Sequence, residues 1–110
     1  MPFASIEDIK TSLENPNTVI LDVRTTPEIR MSGKIEVEGH KWYQCACGPF
    51  SRDLRLNTDA WDKNAGVIVH CRSGHRSSAA KKILEGRGFE NVLDGGGYSK
   101  LKKSLGLSEK

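Results

Sequence analysis

Three short apolar runs, each followed by polar or glycine residues, constrain most strongly how this chain can fold. The runs are Val19-Ile20-Leu21, Val67-Ile68-Val69 and the weaker Asn91-Val92-Leu93. Unbroken apolar runs of this length are typical of strands that are buried on both faces, as in a parallel sheet. The sequence therefore predicts three strands of this kind.

Helical patterns lie before, between and after these runs. Ser5 can cap a first helix, in which Ile6, Ile9 and Leu13 share one face. We predict three further helices, from Thr58 to Lys63, from about Arg76 to Gly86, and from Tyr98 to Leu105. Strands that alternate with helices indicate an α/β fold, in which a central, mainly parallel sheet carries helices on both faces. The segment from Gly33 to Arg55 sustains no period, and we interpret it as a long connection with one short strand or turn.

Length and composition fit one domain that spans residues 1–110. The net charge of +3 is too small to indicate a nucleic-acid partner. No apolar run approaches the roughly 18 residues needed to cross a membrane, and the N-terminus does not resemble a signal or transit peptide. An odd number of cysteines favours free thiols in a reducing compartment. We therefore expect a cytoplasmic monomer, with an organellar location left open if a targeting segment precedes this sequence.

The loop after the second apolar run carries the chemistry. Cys71 stands at the predicted strand end, and a helix must begin within about five residues, so the loop has to curl around the cysteine. Backbone amides in such a curl and the positive end of the helix stabilise a thiolate. Arg72, Arg76 and a protonated His75 would add positive charge. This setting favours a nucleophilic cysteine over an inert buried one.

The spacing within this loop discriminates between two kinds of bound group. Only four residues separate Cys71 from Arg76, whereas protein tyrosine phosphatases place five residues between the cysteine and arginine of a similar loop. A shorter loop makes a tighter cradle. It suits a sulfur atom attached to the cysteine better than a tetrahedral phosphate, although a small phosphatase or arsenate reductase of related fold stays an alternative.

Three segments together resemble the single-domain rhodanese family. The run from Leu21 to Glu28 resembles the family's Asp-Val-Arg element with its Pro-Glu follow-on. The run from Cys71 to Arg76 matches the Cys-Arg-x-Gly-x-Arg loop of thiosulfate-using members, and the run from Gly88 to Gly96 resembles the family's closing strand and Gly-Gly turn. The likeness extends from about Ile6 to Leu105.

The resemblance implies a thiosulfate sulfurtransferase that needs no cofactor or metal. Cys71 would take the outer sulfur of a small anionic donor, release sulfite and pass the sulfur to cyanide, a small thiol or a thioredoxin-like protein. The loop residues that would bind the donor and the persulfide are Arg72, Ser73, Gly74, His75 and Arg76. Relatives that use mercaptopyruvate carry a less cationic loop, so two arginines favour thiosulfate. A sulfur-relay module with little thiosulfate turnover stays the main alternative.

Charged and histidine side chains near the predicted strand ends can be explained by structural roles instead of catalytic ones. Asp22 and Arg24 are interpreted as a structural ion pair that supports the loop. His70 is interpreted as a packing residue. For His75 we expect the backbone amide to matter more than the ring, because cradles of this kind are built from main-chain donors.

Two features depart from the family pattern. The segment from Gly33 to His40 replaces the family's Gly-His-Ile-Pro-Gly-Ala, which leaves the shape of the site wall open, and Tyr98 stands where the family often has tryptophan. The pair Cys45 and Cys47 is also unusual. Our main interpretation is that both are loop cysteines without chemistry. A resolving thiol for Cys71 and a metal site with His40 are the alternatives.

Overall fold

The computed structural model describes residues 3–46 and 58–107. In this part of the chain helices and strands alternate as the sequence predicts, except that the strands Trp42–Gln44 and Val67–Cys71 follow one another among the described elements. They are α1 (Ile6–Leu13), β1 (Val19–Asp22), α2 (Thr26–Ser32), β2 (Trp42–Gln44), β3 (Val67–Cys71), α3 (His75–Gly86), β4 (Val92–Gly97) and α4 (Tyr98–Ser104). No helix among these residues is long and apolar enough to cross a membrane.

The four strands form one parallel sheet in the order β2-β1-β3-β4. The predicted α/β class with a mainly parallel sheet is therefore confirmed. Because all strands run the same way, β1, β3 and β4 end at one edge of the sheet. The loops that follow these three strands meet at that edge, where open α/β sheets bind their ligands.

Helices cover the sheet on both faces, since the side chains of the central strands point alternately to each side. On one face Leu21 and Val69 pack with Ala80 and Leu84 of α3. On the other face the buried core residues come from the sheet, from α1 and α4 and from the connection before β2: Ile9, Ile20, Ile35, Ile68, Tyr98 and Leu101. β1 and β3 are buried on both sides, which explains their unbroken apolar sequences.

Three of the helices follow the predicted signals closely. Ser5 caps α1 by accepting a hydrogen bond from the Asp8 amide at 3.1 Å. α3 covers the predicted range almost residue for residue, from His75 to Gly86. α4 runs from Tyr98 to Ser104, one residue short of the prediction.

Two stretches differ from the predictions. Thr26–Ser32 forms α2, a helix that the sequence analysis did not predict, and it buries none of its residues. The predicted helix from Thr58 to Lys63 is wrong: within that range only Thr58 is helical, and turns and bends follow it as far as residue 65. The carboxylate of Asp62 accepts a hydrogen bond from the Asn64 amide at 2.9 Å, a local bond that competes with helix formation.

β4 is longer than its apolar run, because the strand continues through Gly95 and Gly96 to Gly97 instead of turning. A register shift between Val69 and His70 accommodates this extension. Gly97 has to lack a side chain, since a Cβ there would lie 2.7 Å from the carbonyl oxygen of Arg72. The glycine run therefore allows β4 to pass directly beneath the loop that follows Cys71.

Candidate functional site

Cys71 is the last residue of β3, and its side chain is fully buried. Three residues separate it from His75, the first residue of α3. The connection turns this sharply because Gly74 has a φ of 103°, a conformation that costs a residue with a Cβ far more than it costs glycine. The strand, tight loop and helix thus form the curl around Cys71 that the sequence predicts.

Two backbone amides point at the cysteine sulfur. The Gly74 amide donates to Cys71 Sγ at 2.9 Å, and the Ser77 amide lies 3.4 Å from the same atom. Both amides belong to the beginning of α3, where the helix dipole also favours negative charge. The site is therefore arranged to hold a thiolate or another electron-rich sulfur at Cys71.

A second polar group reaches Cys71 from the helix side. Cys71 Sγ lies 3.7 Å from Ser77 Oγ, and Ser77 Oγ lies 2.7 Å from Asp94 Oδ1. Asp94 also accepts a hydrogen bond from the Gly96 amide at 2.9 Å. Ser77 and Asp94 are both buried. The sequence analysis missed both residues, and the contact between Asp94 and Ser77 depends on how β4 passes beneath α3.

Arg76 pairs with Glu28 of α2. Its guanidinium donates to both Glu28 oxygens at 2.7 Å, in a bidentate arrangement. The hydrogen bonds from Arg76 are the main reason that the pKa of Glu28 falls from 4.5 to about 2. The same bonds raise the pKa of Arg76 above its ordinary value. In this structure the arginine that closes the loop is therefore already occupied by a carboxylate.

The other predicted loop residues lie on the surface. Arg72 and His75 are exposed, and Arg72 forms no ion pair within residues 3–46 and 58–107. Ser73 is also exposed, and its Oγ lies 3.2 Å from His75 Nδ1. Arg72 therefore supplies the unpaired positive charge at the mouth of the loop.

Asp22 and Arg24 form a buried ion pair beside the loop. Two side-chain hydrogen bonds of 2.9 and 2.7 Å join them, and Arg24 also donates to the Gly33 carbonyl at 2.7 Å. The Arg24 guanidinium stacks over the Tyr98 ring at 4.4 Å. This arrangement fixes the ends of β1 and β4 relative to each other.

His70 is buried next to the Asp22–Arg24 pair, on the opposite face of the sheet from Cys71. Its ring packs against Tyr98, and its Nε2 lies 3.7 Å from Asp22 Oδ2. Burial lowers the pKa of His70, although the Asp22 carboxylate opposes that shift. His70 therefore packs beneath the site and does not contact the cysteine sulfur.

Phe3 lies directly on the active loop. The N-terminal segment is tied to β4 by a 2.9 Å hydrogen bond from the Ala4 amide to the Asp94 carbonyl. This places the Phe3 ring where a Cβ on Gly74 would come within 2.5 Å of it. The contact helps to hold the loop in the conformation that aims the Gly74 amide at sulfur.

The segment that departs from the family pattern builds part of the fold. Ile35 is fully buried, and both ring nitrogens of His40 contact carbonyl oxygens, of Thr18 at 2.7 Å and of Leu13 at 3.0 Å. Cys45 follows β2 and is buried in the same core cluster as Cys71, while Cys47 lies outside the described residues. With its nitrogens engaged in this way, His40 has a structural role.

Fold and site together define a class of protein: a parallel α/β domain that presents a cysteine within an amide-lined loop at the carboxyl end of a central strand. The model of the rhodanese-like domain family matches residues 5–104. The chain therefore belongs to the rhodanese-like domain family, as the motifs predict.

Individual relatives agree with this assignment. A Schizosaccharomyces pombe protein named "Putative thiosulfate sulfurtransferase, mitochondrial" is 32% identical over 85 residues. That alignment covers 69% of this chain and 56% of the relative, so the chain spans little more than half of that protein.

Solved structures show the same fold. A rhodanese-like domain protein from Staphylococcus aureus superposes with a TM-score of 0.63 at 24% identity, covering 92% of this chain and 91% of the other. An Escherichia coli rhodanese described as containing anions superposes with a TM-score of 0.52 at 29% identity, covering 76% and 89% of the two chains.

Proposed function

We propose that the chain is a sulfurtransferase that moves sulfane sulfur from thiosulfate to a thiol or cyanide through a persulfide on Cys71. The observation that carries this proposal is the 2.9 Å hydrogen bond from the Gly74 amide to Cys71 Sγ. An amide aimed at a buried cysteine sulfur, at the positive end of a helix, stabilises negative charge on that atom. A thiolate is the nucleophile that sulfur transfer requires.

In the first half-reaction the Cys71 thiolate attacks the outer sulfur of thiosulfate. A new S–S bond forms to Cys71, the S–S bond of thiosulfate breaks, and sulfite leaves with the electron pair of that bond. The negative charge then lies on the outer persulfide sulfur. Amides at the beginning of α3 and the helix dipole favour that charge in the same way as they favour the thiolate.

In the second half-reaction an acceptor thiolate or cyanide attacks the outer persulfide sulfur. The S–S bond to Cys71 breaks, and the cysteine thiolate is regenerated as the leaving group. A small thiol or a thiol on a thioredoxin-like protein fits this role. The two half-reactions share one cysteine and form a ping-pong cycle.

The donor is expected to enter beside Arg72. A cavity of about 330 Å³ opens there, and it is lined by Arg24, Pro27, Glu28, Met31, Ser32 and Arg72. Because Arg72 forms no ion pair within the described part of the chain, it can attract a dianion without breaking an existing contact. Glu28 engages two of the five N–H groups of Arg76, so the donor would bind the remaining N–H groups or compete with Glu28.

The Arg76–Glu28 pair also favours a second candidate function. If thiosulfate cannot displace Glu28, the domain would turn over thiosulfate slowly and would instead receive its sulfur from a persulfide on another protein. The same Cys71 persulfide would then serve as a relay intermediate.

Steady-state formation of thiocyanate from thiosulfate and cyanide tests the proposal. Wild type should form thiocyanate over many turnovers, and Cys71→Ser should form none. Cys45→Ala should retain activity as a matched cysteine control. Turnover by Cys71→Ser would remove Cys71 from the mechanism. An inactive wild type that accepts sulfur from a small-molecule persulfide would support the relay function instead.

A further inference from the structure

Asp94 is a buried carboxylate next to the nucleophile that sulfur transfer itself does not use. Its side chain is 1% exposed, and within residues 3–46 and 58–107 its Oδ2 has no hydrogen-bond partner. The other oxygen accepts from the Gly96 amide at 2.9 Å and lies 2.7 Å from Ser77 Oγ. One oxygen of this carboxylate is thus buried without a partner in the described residues, and an isolated negative charge in a buried position is costly.

Ser77 connects Asp94 to Cys71. Its Oγ lies 2.7 Å from Asp94 Oδ1 and 3.7 Å from Cys71 Sγ. Ser77 Oγ also lies 3.1 Å from the Gly74 carbonyl oxygen. A hydroxyl has one proton, so Ser77 can donate to only one of these three neighbours at a time. When Ser77 donates to an ionised Asp94, its oxygen faces Cys71 as an acceptor and requires a thiol. When Asp94 is protonated and donates to Ser77, the hydroxyl can turn from the Gly74 carbonyl to donate to a Cys71 thiolate.

Other charged groups around this chain of contacts are already engaged or exposed. They are Asp22 and Arg24 at the end of β1, His70 on β3, and Arg72, His75 and Arg76 around the loop. Asp22 pairs with Arg24, and Arg76 pairs with Glu28. In the part of the chain that the structure describes, none of these groups forms an ion pair with Asp94. Within residues 3–46 and 58–107 no ion pair therefore neutralises a negative charge on Asp94.

We propose that Cys71 and Asp94 share one proton through Ser77, so that Asp94 holds the proton of the nucleophile while Cys71 is a thiolate. The S–H bond of Cys71 breaks and its proton passes to Ser77 Oγ, while the hydroxyl proton of Ser77 passes to the Asp94 carboxylate. One thiol and one carboxylate become one thiolate and one carboxylic acid. Net charge is unchanged, and no other reactant is needed.

This arrangement would serve both half-reactions. Before attack, Ser77 is turned towards the thiolate and adds a third donor to the Gly74 and Ser77 amides. In the second half-reaction Cys71 is the leaving group, and the same donor stabilises the thiolate as it forms. This role rests on the proposed function, whereas the shared proton can be measured without any sulfur donor. Ser77 and Asp94 are thus assigned as positioning and proton-holding residues.

The pH dependence of Cys71 alkylation tests the shared proton. The rate of iodoacetamide reaction at Cys71, followed by peptide mass spectrometry from about pH 5 to pH 10, should rise in two steps in wild type. Two strongly coupled groups release their protons in macroscopic steps that differ by more than about one pH unit. Asp94→Asn should show a single step, and the exposed control Glu90→Gln should keep the wild-type profile.

Ser77→Ala provides a second test if Asp94→Asn does not fold, as judged by far-UV circular dichroism. Loss of the hydroxyl should also leave a single step, and that step should move to higher pH because the thiolate loses a donor. A single step in wild type, or two steps retained in either variant, would overturn the proposal. A two-step profile in a protein that forms no persulfide with thiosulfate, with mercaptopyruvate or with a small-molecule persulfide donor would retain the shared proton and remove the sulfurtransferase function.

Discussion

The bidentate contact between Arg76 and Glu28 leads to a quantitative prediction about stability. The change is Glu28→Gln, which keeps the size of the side chain and removes its charge. The contact joins α2 to α3 across the mouth of the active loop, through two hydrogen bonds of 2.7 Å. Glu28 also completes the capping box of α2, by accepting from the Thr25 amide at 2.8 Å. Glutamine keeps a side-chain oxygen for that cap, so the variant leaves the cap in place and removes the charge together with one of the two acceptors of Arg76.

The size of the effect follows from the pKa of Glu28, which falls from 4.5 to about 2, mainly through the hydrogen bonds from Arg76 and to a smaller extent through those from Thr25. A lowering of that size corresponds to about 3 kcal/mol of net stabilisation from these partners together. The Glu28 and Arg76 side chains are 21% and 30% exposed, so solvent screens part of the attraction. We therefore expect Glu28→Gln to lower the free energy of unfolding by about 1 to 2 kcal/mol at pH 7.

The pH dependence has a defined sign. Because the folded-state pKa of Glu28 is lowered, its contribution is fully present above pH 4.5 and is lost as the pH falls towards 2. Urea unfolding of wild type and Glu28→Gln between pH 2.5 and pH 7 should show a stability difference that narrows below pH 4.5. The quantity compared is the difference in free energy of unfolding between the two proteins. The other acids are present in both proteins, so their contributions to this difference cancel.

A matched control is the exposed pair between Lys81 and Glu85, four residues apart on α3. Glu85→Gln should cost only about 0.3 to 0.5 kcal/mol at pH 7, because exposed pairs of this kind contribute little. Equal losses in Glu28→Gln and Glu85→Gln would refute the argument, as would a Glu28→Gln difference that stays constant down to pH 2.5.

Three further variants test the loop and its support. Gly74→Ala should destabilise the fold by about 1 to 3 kcal/mol in urea unfolding, since the φ of 103° at this position suits glycine and an added Cβ would meet Phe3. Combining it with Phe3→Ala should recover the steric part of that loss. If the unfolding free energies lost in the two single variants simply add up in the double variant, the contact between the two residues is contradicted. Asp22→Ala should cost roughly 3 to 5 kcal/mol because it leaves the Arg24 charge buried without a partner, and a urea midpoint near that of wild type would contradict this. Arg72→Ala should raise the KM for thiosulfate about tenfold and leave the urea midpoint unchanged, as expected for one exposed charge-assisted contact; an unaltered KM would exclude Arg72 from donor binding.

Much of the fold can be predicted from the sequence, because the local patterns, namely apolar runs and helix caps, agree with the way the elements pack. The runs at Val19 and Val67 are apolar on both faces, and the structure buries them between helices. Ser5 caps α1 as its position before Ile6 and Ile9 predicts. The carboxyl ends of these strands then fix where the loop containing Cys71 must lie.

The sequence analysis did not predict α2, because the sequence signal for this helix lies in its N-terminal cap and first turn and not in a repeated apolar pattern along its length. The capping box from Thr25 to Glu28, with Pro27 in the first turn, was visible in the sequence. However, the helix buries no residue, so it shows no apolar period. A search for caps before periodicity would have found it.

Contacts around the cysteine depend on tertiary structure that spacing does not encode. Asp94 meets Ser77 only because β4 runs on through its glycines and shifts register beside β3. Arg76 meets Glu28 across 48 positions of sequence. The loop sequence predicts which loop residues surround Cys71, whereas the contacts of Arg76 with Glu28 and of Asp94 with Ser77 depend on the positions of α2 and β4.

The most direct test of the central claim is the intact mass of the protein after incubation with thiosulfate. Wild type should gain the mass of one sulfur atom, peptide analysis should place that atom on Cys71, and cyanide should remove it with formation of one equivalent of thiocyanate. Cys71→Ser should gain nothing. An unchanged wild-type mass with thiosulfate, with mercaptopyruvate and with a small-molecule persulfide donor would contradict the account, and so would sulfur located on another residue.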